Sequence, residues 1–507
     1  VSREDIVVGL DIGTTKVCTV VGQGDAQGKI NILGIGNVPS RGIKKGVVVD
    51  VEDTIAAIRE SVERASHMAG VPISSAVAGV TGEHIQSSNR RGSVTITRED
   101  GIIGQDDIDR VLQAAIMEVP RDREIIHSLP REFTVDGHRG VRRPIGMVGQ
   151  RLEVETHVVT GTSSFLQNVI QCMEGAGLGV ESLVLEPIAT SEAVATYDER
   201  ELGVALIDIG GGTSDIAIFM DGSIAFSSVL PVGGTHVTRD ISIGLSTPFD
   251  IAERLKIERG VATSSMVEYG EALEVVTAGS GERLRLPRAV LSEIIEARMT
   301  ELLEMARDSM ANARGTKRLP AGVVLSGGGA LLPGAIELAQ QVFDLPVRLG
   351  KPIEIAGWSE QADSPQFATA VGLLRFALRQ RGAIVSGSTA AHAAASSSVV
   401  PPPVVATPPA AENPPAPERQ AFPATSPSHI NAIQQGSPPR TQIAAAAKPV
   451  PVTTEEAEQS TPFDRLNKNL SPELQQVRIG EAKTGDEQPV WRKWLAKFRE
   501  WIGFETS

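Results

Sequence analysis

Residues 6–22 read IVVGLDIGTTKVCTVVG, and residues 203–222 read GVALIDIGGGTSDIAIFMDG. Both have an apolar, β-branched run, then Asp-Ile-Gly, a small polar turn and a second apolar run. Unbroken runs of Val, Ile and Leu of this length fit strands buried on both faces. Two copies of a strand-turn-strand unit predict two similar lobes. Each turn is too rich in glycine and threonine to be packing material. Glycine lets backbone approach a ligand closely, and consecutive N–H groups with Thr hydroxyls can bind phosphate oxygens. Asp11, Gly13, Thr14, Thr15 and Lys16 in the first turn, and Gly210, Gly211, Gly212 and Thr213 in the second, are therefore candidate phosphate grips. Asp11 and Asp208, each at the end of a buried strand, are placed to hold a hydrated Mg2+ through water. A single copy would read first as a tight hairpin turn with a helpful Asp.

A third element strengthens the nucleotide reading. AGVVLSGGGALLPG, at 321–334, sets Ser326, Gly327, Gly328 and Gly329 after an apolar strand and at the opening of a predicted helix, GAIELAQQVF. A Gly-rich strand-to-helix turn suits close approach of a nucleotide to backbone. Alone it is weak evidence; three such turns in this order are strong.

Composition narrows the classes. A chain of 507 residues suffices for two or three domains, and 41% hydrophobic with 22% charged residues is ordinary for a globular protein. A net charge of −14 and a pI near 5.2 argue against nucleic-acid binding, which needs a concentrated basic face. Cys18 and Cys172 lie in apolar segments without metal-ligand spacing, so buried thiols in a reducing compartment are expected. The histidines are scattered, and no metal site built on them is expected. A charged start that runs straight into a strand, with no run of apolar residues long enough to span a bilayer, reads as neither secreted nor membrane-spanning.

The three loops resemble those of the actin, Hsp70 and sugar-kinase ATPase superfamily. That resemblance implies a two-lobed α/β fold, a duplicated ribonuclease H-like core, clamping ATP and Mg2+. The implied parts are a first phosphate loop at 11–16, a second at 208–215 and an adenosine loop at 326–329. VLEPIATSEAV (184–194) is similar to the first connecting helix, with Glu186 in the place of the residue that orients the attacking water. Glu186 and Asp208 are thus the candidate catalytic residues. FATAVGLLRFAL (367–378) is similar to the second connecting helix, where Ala370 and Gly372 permit close packing. DIAERLKIERG (250–260) resembles the helix that reaches ribose and base through Glu253 and Lys256; by spacing alone it is equally an exposed charged helix.

Residues 86–160 read as a small α+β module: strand SVTITR, a helix over 104–119, and strands IIHSLPREFTVDG and RLEVETHVVTG. With SLPREFTVDG and GMVGQRLEVETHVVTG, the module resembles the subdomain that replaces actin's usual one in the FtsA family of bacterial cell-division proteins. The expected organisation is a first-lobe core from 1–85, 161–199 and 366–382, and a second-lobe core from 200–235 and 303–365. A smaller second-lobe subdomain occupies 236–302. Neither the catalytic lysine of Hsp70 nor the aspartate base of sugar kinases can be placed, so at most a slow ATPase is expected. The alternative left open is an ATP-dependent enzyme, a chaperone or kinase, that visits membranes.

Composition breaks sharply near residue 383. Residues 383–487 hold 16 of the 31 prolines, among alanine and serine runs, and cannot bury enough apolar surface to offset ordering entropy. They read as a disordered linker with a reach of roughly 50–60 Å. After it, VWRKWLAKFREWIGF (490–504) carries three of the four tryptophans. On a helix over 488–503, Trp491, Trp494, Leu495, Phe498, Trp501 and Ile502 form one apolar face, with Arg492, Lys493, Lys497 and Arg499 off it. Such a helix must dock on the body of the chain, on a partner's groove or on a membrane. Tryptophan with Lys and Arg favours an anionic lipid surface, rings at headgroup depth.

The family resemblance implies the same membrane anchor, and more. It implies that the chain tethers FtsZ polymers, binding the FtsZ C-terminal tail peptide on the smaller second-lobe subdomain. Arg298, in the helical run 291–310, is a candidate partner for that acidic tail, or else a solvated helix charge. It also implies actin-like protofilaments, recruitment of later division proteins, and a peripheral place on the cytoplasmic face of the inner membrane at the septum.

Overall fold

A computed structural model describes residues 6–25, 29–116, 119–279, 281, 283–311, 313 and 319–382. The expected linker (383–487) and terminal helix (488–503) lie outside the described residues.

Both Asp-Ile-Gly stretches fold as antiparallel hairpins within a larger sheet. In the first lobe, Ile6–Ile12 pairs with Lys16–Gly24, which pairs with Ile30–Pro39. Ser75–Val80 joins Ile6–Ile12 in parallel on its other side, and Gly179–Leu185 joins Ser75–Val80. The second lobe repeats this plan with the antiparallel triplet Val204–Ile209, Ser214–Met220 and Ser223–Leu230. Val323–Ser326 and Val347–Leu349 then add in parallel. A short strand, Ile355–Gly357, returns to the outer edge of the first sheet. The paired, equally ordered sheets are the two-lobed actin-like α/β fold. Leu10, Val20, Leu206 and Ile207 are inaccessible to solvent, as strands covered on both faces require.

Small residues decide how closely the helices approach these sheets. Helix Val51–Ala69 starts at Asp50, whose carboxylate accepts the Asp53 amide at 2.9 Å, and ends at Gly70 with φ 68°. Helices Glu186–Val194 and Ala368–Gln380 connect the lobes and cross with their backbones touching. A Cβ on Gly372 would stand 1.8 Å from the carbonyl oxygen of Ala189. A buried Glu192 ties the crossing further, paired with Arg200 at 3.0 Å and Arg379 at 2.5 Å. Burial works against its charge, but the two guanidiniums prevail and hold its pKa down to about 2. One apolar core joins both helices to both sheets, from Val20 and Val77 to Leu206 and Ala217.

The inserted module is a four-stranded antiparallel sheet of Gln86–Thr95, Arg151–Thr162, Arg123–Val135 and His138–Val141, in that order. Helix Gln105–Ile116 covers it, over a separate core that includes Ile103, Val111, Phe133 and Leu152. The first strand begins at Gln86, ahead of the SVTITR run. Its QSSNRRG half is polar and carries no strand signature; ten residues of register with Arg151–Thr162 hold it extended. Two module strands continue out of it, since Ile126 and Val159 belong to the main core.

The module also grips the second lobe. The Ser87 hydroxyl donates to the Ser227 carbonyl at 2.6 Å, and the Asn89 amide to the Ala225 carbonyl at 2.9 Å. Ala225 and Ser227 lie on Ser223–Leu230, the outer strand of the second sheet. His157 bridges Asn89 Oδ1 at 2.7 Å and Ser227 Oγ at 2.9 Å, and burial pushes its pKa down to about 3. Arg142 forks onto Glu201 at 2.9 and 2.7 Å. Beyond, helices Gly234–Gly244, Phe249–Arg259 and Arg288–Ala311 pack with the hairpin Ala272–Val276/Arg283–Pro287.

The helix crossing generates a stability prediction. Gly372→Val forces a branched side chain into the Ala189 backbone, and should lower the unfolding free energy by about 1–3 kcal/mol or more. Urea denaturation measures it; an unchanged midpoint would mean that the crossing can open without cost.

Candidate functional site

The two hairpin turns face each other across the gap between the lobes. Each is closed in the same way, by the Gly13 amide on the Lys16 carbonyl and the Gly210 amide on the Thr213 carbonyl, both at 2.9 Å. They also touch. A Cβ on Gly211 would lie 2.4 Å from Thr15 Cγ2, and one on Gly212 would lie 2.5 Å from Thr14 Oγ1. The cleft between them is lined by Asp11, Gly13, Thr14, Thr15 and Lys16 from one side and by Asp208, Gly210, Gly211, Gly212, Thr213 and Asp215 from the other. Glu186, Thr81, Thr369, Pro365 and Gln366 complete the lining with Gly327 and Gly328.

The third loop follows from strand pairing. Ser326 is the register partner of Asp208, and its buried hydroxyl donates to the Gly350 carbonyl at 3.2 Å. Gly327, with φ 82°, has no room for a side chain: a Cβ would stand 2.2 Å from Asp208 Oδ1. Gly329 packs on Ile209 in the same way. Gly327 and Gly328 thus line the cleft, while Ser326 and Gly329 hold the loop from behind. The α-helix does not open on these glycines. A 3-10 turn, Gly328–Leu331, intervenes, and the helix starts at Ala335, after the Pro333-Gly334 break.

Four carboxyl groups, on Asp11, Glu186, Asp208 and Asp215, share this cleft with the ammonium of Lys16, which is bonded to Asp11. Burial disfavours the charged amine, but Asp11 outweighs it and keeps Lys16 protonated. The acids respond in the opposite sense. Burial raises Glu186 well above the ordinary carboxylate range, and repulsion from Asp11, Asp215 and Asp208 adds to the rise. Burial pushes Asp215 up to about 7, against a hydrogen bond from Thr81, and Asp208 up to about 6, against one from Thr190. Such a surplus of buried negative charge fits a hard divalent cation. Among the described residues no three His, Cys, Asp or Glu side chains are grouped to hold a metal directly.

Four hydroxyls attend the acids. Thr81 and Thr213 both donate to Asp215, the latter at 3.2 Å. Thr190 and Thr369 both donate to Asp208, at 2.9 and 3.2 Å. Thr81, Thr190, Thr369 and Gln366 are site residues that sequence reasoning did not single out, and Asp215 entered it only as the last residue of the 208–215 loop. Thr190 alone left a local signal, standing four residues after Glu186 on the same helical face.

Other predicted residues fall elsewhere. Glu253 and Lys256 pair with each other at 2.8 Å, both engage Thr238, and Lys256 also donates to the Gly234 carbonyl at 3.1 Å. The Gly234 amide in turn bonds the Gly210 carbonyl at 2.9 Å. Lys256 therefore stands one layer behind the second turn and outside the cleft lining. Arg298 pairs with Asp240 at 2.5 Å and with Glu301, so its charge meets two acids of the chain itself. Trp491 to Ile502 lie outside the described residues, among which no helix is long and apolar enough to cross a membrane. Both cysteines are buried free thiols.

Comparison with known proteins places this geometry. Residues 205–372 match the family described as Cell division protein FtsA, and residues 82–160 match the SHS2 domain inserted in FTSA. Cell division protein FtsA of Pseudomonas aeruginosa is 41% identical over 389 residues, 76% of this chain and 93% of that protein. The FtsA of Neisseria meningitidis serogroup B is 42% identical over 375 residues, 74% of this chain and 90% of that protein. Among solved structures, one described as a PilM-PilN type IV pilus biogenesis complex aligns at TM-score 0.54 and 18% identity, covering 73% of this chain and 97% of that one. At that identity the likeness concerns the fold alone.

The raised carboxyls make stability depend on pH in a defined direction. Folded Asp215 keeps its proton up to about pH 7, whereas an ordinary Asp releases it near 3.8. Between those values the unfolded chain binds fewer protons, so stability falls as pH rises through the window. Asp215→Asn should gain on the unaltered protein by on the order of 1 kcal/mol or more between about pH 5 and pH 8, by urea denaturation in metal-free buffer. His84, His127 and His157, pushed by burial to about 4, about 4 and about 3, act in the opposite direction below 6.5 and cancel in the comparison. A constant gap between the two proteins would reject the assignment.

Proposed function

The chain belongs to the FtsA family of bacterial cell-division proteins, and we propose that it binds ATP with Mg2+ in the cleft and acts as a nucleotide-switched membrane tether. The observation that carries the nucleotide reading is the meeting of two duplicated Asp-Gly-Thr turns, face to face, around buried carboxyls. Gly13, Thr14, Thr15 and Lys16 would hold phosphates from one lobe, and Gly210, Gly211, Gly212 and Thr213 from the other. Gly327 and Gly328 leave backbone open to the nucleoside, supported by Ser326 and Gly329. Glu253 and Lys256 brace the second turn through Gly234. Asp11 and Asp208 would hold Mg2+ through water; the bound ion supplies charge neutralisation at the phosphates. Glu186 would orient a water beside Asp208. A carboxyl that burial keeps protonated is a poor proton acceptor, which fits slow hydrolysis and a switch more than a turnover enzyme.

The output of the switch is attachment. The 488–503 helix anchors the protein on anionic lipid through Trp491, Trp494, Leu495, Phe498, Trp501 and Ile502, with Arg492, Lys493, Lys497 and Arg499 at the headgroups. Each buried large side chain contributes at most about 1.5–3 kcal/mol and each cation about 1 kcal/mol, less the cost of ordering the helix. Anchoring is therefore reversible, and strengthens when copies assemble side by side as protofilaments. The FtsZ tail peptide docks on the 236–302 subdomain. There Arg298 can exchange Glu301, its more exposed partner, for a peptide carboxylate while keeping Asp240. Later division proteins bind the 86–160 module, at the cytoplasmic face of the inner membrane.

Two measurements test this. MgATP should raise the melting temperature and bind saturably in calorimetry, and Asp208→Asn should weaken that binding at least tenfold; no binding by the intact chain would remove the nucleotide reading. In co-flotation with anionic liposomes, the intact chain should carry FtsZ upward, and a chain stopped after Gln488 should stay at the bottom. Equal flotation of the two would assign the tail to a protein partner.

A further inference from the structure

The two helices that connect the lobes converge on a single oxygen atom. Thr190 lies on Glu186–Val194 and Thr369 on Ala368–Gln380; their hydroxyls stand 2.9 Å apart, and both reach Asp208 Oδ2. All three side chains are buried, at 0%, 8% and 8% exposure. A buried helical Ser or Thr ordinarily returns its proton to a carbonyl three or four residues back. Ser191 does so, bonding the Ile188 carbonyl at 2.7 Å. Thr190, its neighbour, sends its proton to Asp208 instead.

Each hydroxyl has one proton to give, so an ionised Asp208 can receive both on Oδ2. The other oxygen, Oδ1, lies against Gly327, where no Cβ would fit. The carboxylate is thereby fixed at both ends, with one oxygen tied to the helix crossing and the other held at the third loop. Thr190 directly follows Ala189, the residue whose carbonyl touches Gly372. A shift of either helix at this point draws a hydroxyl away from Asp208.

We propose that Thr190 and Thr369 are positioning residues that set the Asp208 carboxylate for the divalent cation of the bound nucleotide. Through them, cation affinity depends on how the two connecting helices cross. The inference rests on the nucleotide reading above and adds the residues that orient one of its metal-facing acids.

Valine and serine separate orientation from packing, since valine matches the shape of threonine without its proton and serine keeps the proton without the methyl. The experiment is calorimetry of ATP binding to the full chain as Mg2+ is titrated, with melting temperatures in parallel. Thr190→Val and Thr369→Val are expected to raise the Mg2+ concentration at half-maximal binding by about tenfold or more, the usual effect of losing a group that orients a metal-facing ligand. Thr190→Ser should stay close to the unaltered protein. Valine variants with the unaltered Mg2+ dependence, or a serine variant as impaired as the valine one, would overturn the proposal. If Thr190→Val shows no cooperative melting transition, Thr369→Val against Thr369→Ser decides by the same criteria. Absence of ATP binding by the unaltered chain at every Mg2+ concentration would overturn the nucleotide reading itself, a result distinct from intact binding with an unshifted Mg2+ dependence.

Discussion

Like charges that cannot move apart govern this molecule. Duplication puts an aspartate at the end of the central strand of each sheet, and closing one lobe on the other brings Asp11 and Asp208 into the same cleft. Glu186 enters from a connecting helix and Asp215 from the neighbouring strand. None can retreat, because the strands that carry them are buried on both faces and the helix is packed backbone to backbone against its partner. The fold answers with one ammonium, with hydroxyls from Thr81, Thr190, Thr213 and Thr369, and with protons that Glu186 and Asp215 retain into the neutral range. What those leave unbalanced is a demand for positive charge. The Mg2+ of the proposed nucleotide would meet that demand.

Local pattern and long-range placement separate cleanly in this chain. The Asp-Ile-Gly hairpins and the lobes they found are legible because each is encoded within a few neighbouring positions. Glu186 and the small residues of the helix crossing come instead from the likeness of 184–194 and 367–378 to the connecting helices of the superfamily. Thr81 on Asp215 was not legible, since the partners are 134 residues apart and belong to different lobes. The polar QSSNRRG strand was hidden for a related reason: its extended form comes from the ladder beside it rather than from its own side chains. The predicted helix GAIELAQQVF forms from Ala335, while the 3-10 turn ahead of it carries no local signal, because Gly-rich turns before helices look alike with or without one. Charged helical residues were the hardest to place. Lys256 and Arg298 could each point to solvent, ligand or interior, and only the positions of Thr238 and Asp240 on another helix decide it.

The stiff and yielding parts of the architecture are adjacent. At the crossing, Glu192 between two arginines and Gly372 against Ala189 leave no slack. One helical turn away, the cleft is lined by glycine and threonine, with protonation states that respond to whatever enters. Information about the ligand can leave this region only through elements that already touch it. Those elements are the two connecting helices, the strands and turns that carry the acids, the third loop, and the segments of Thr81 and Gln366.

The side chains of Ser87 and Asn89 on the rim of the second sheet have a consequence of another kind. A strand at the end of a sheet normally offers a row of unpaired peptide groups to any other extended chain, and proteins must discourage that. Here the carbonyls of Ala225 and Ser227 are occupied by the inserted module, and the pairing slips by one residue at Ala225, so cover and bulge together withdraw this border from fibril-like stacking. Under the proposed side-by-side assembly, that concealment keeps this border out of the contacts between copies.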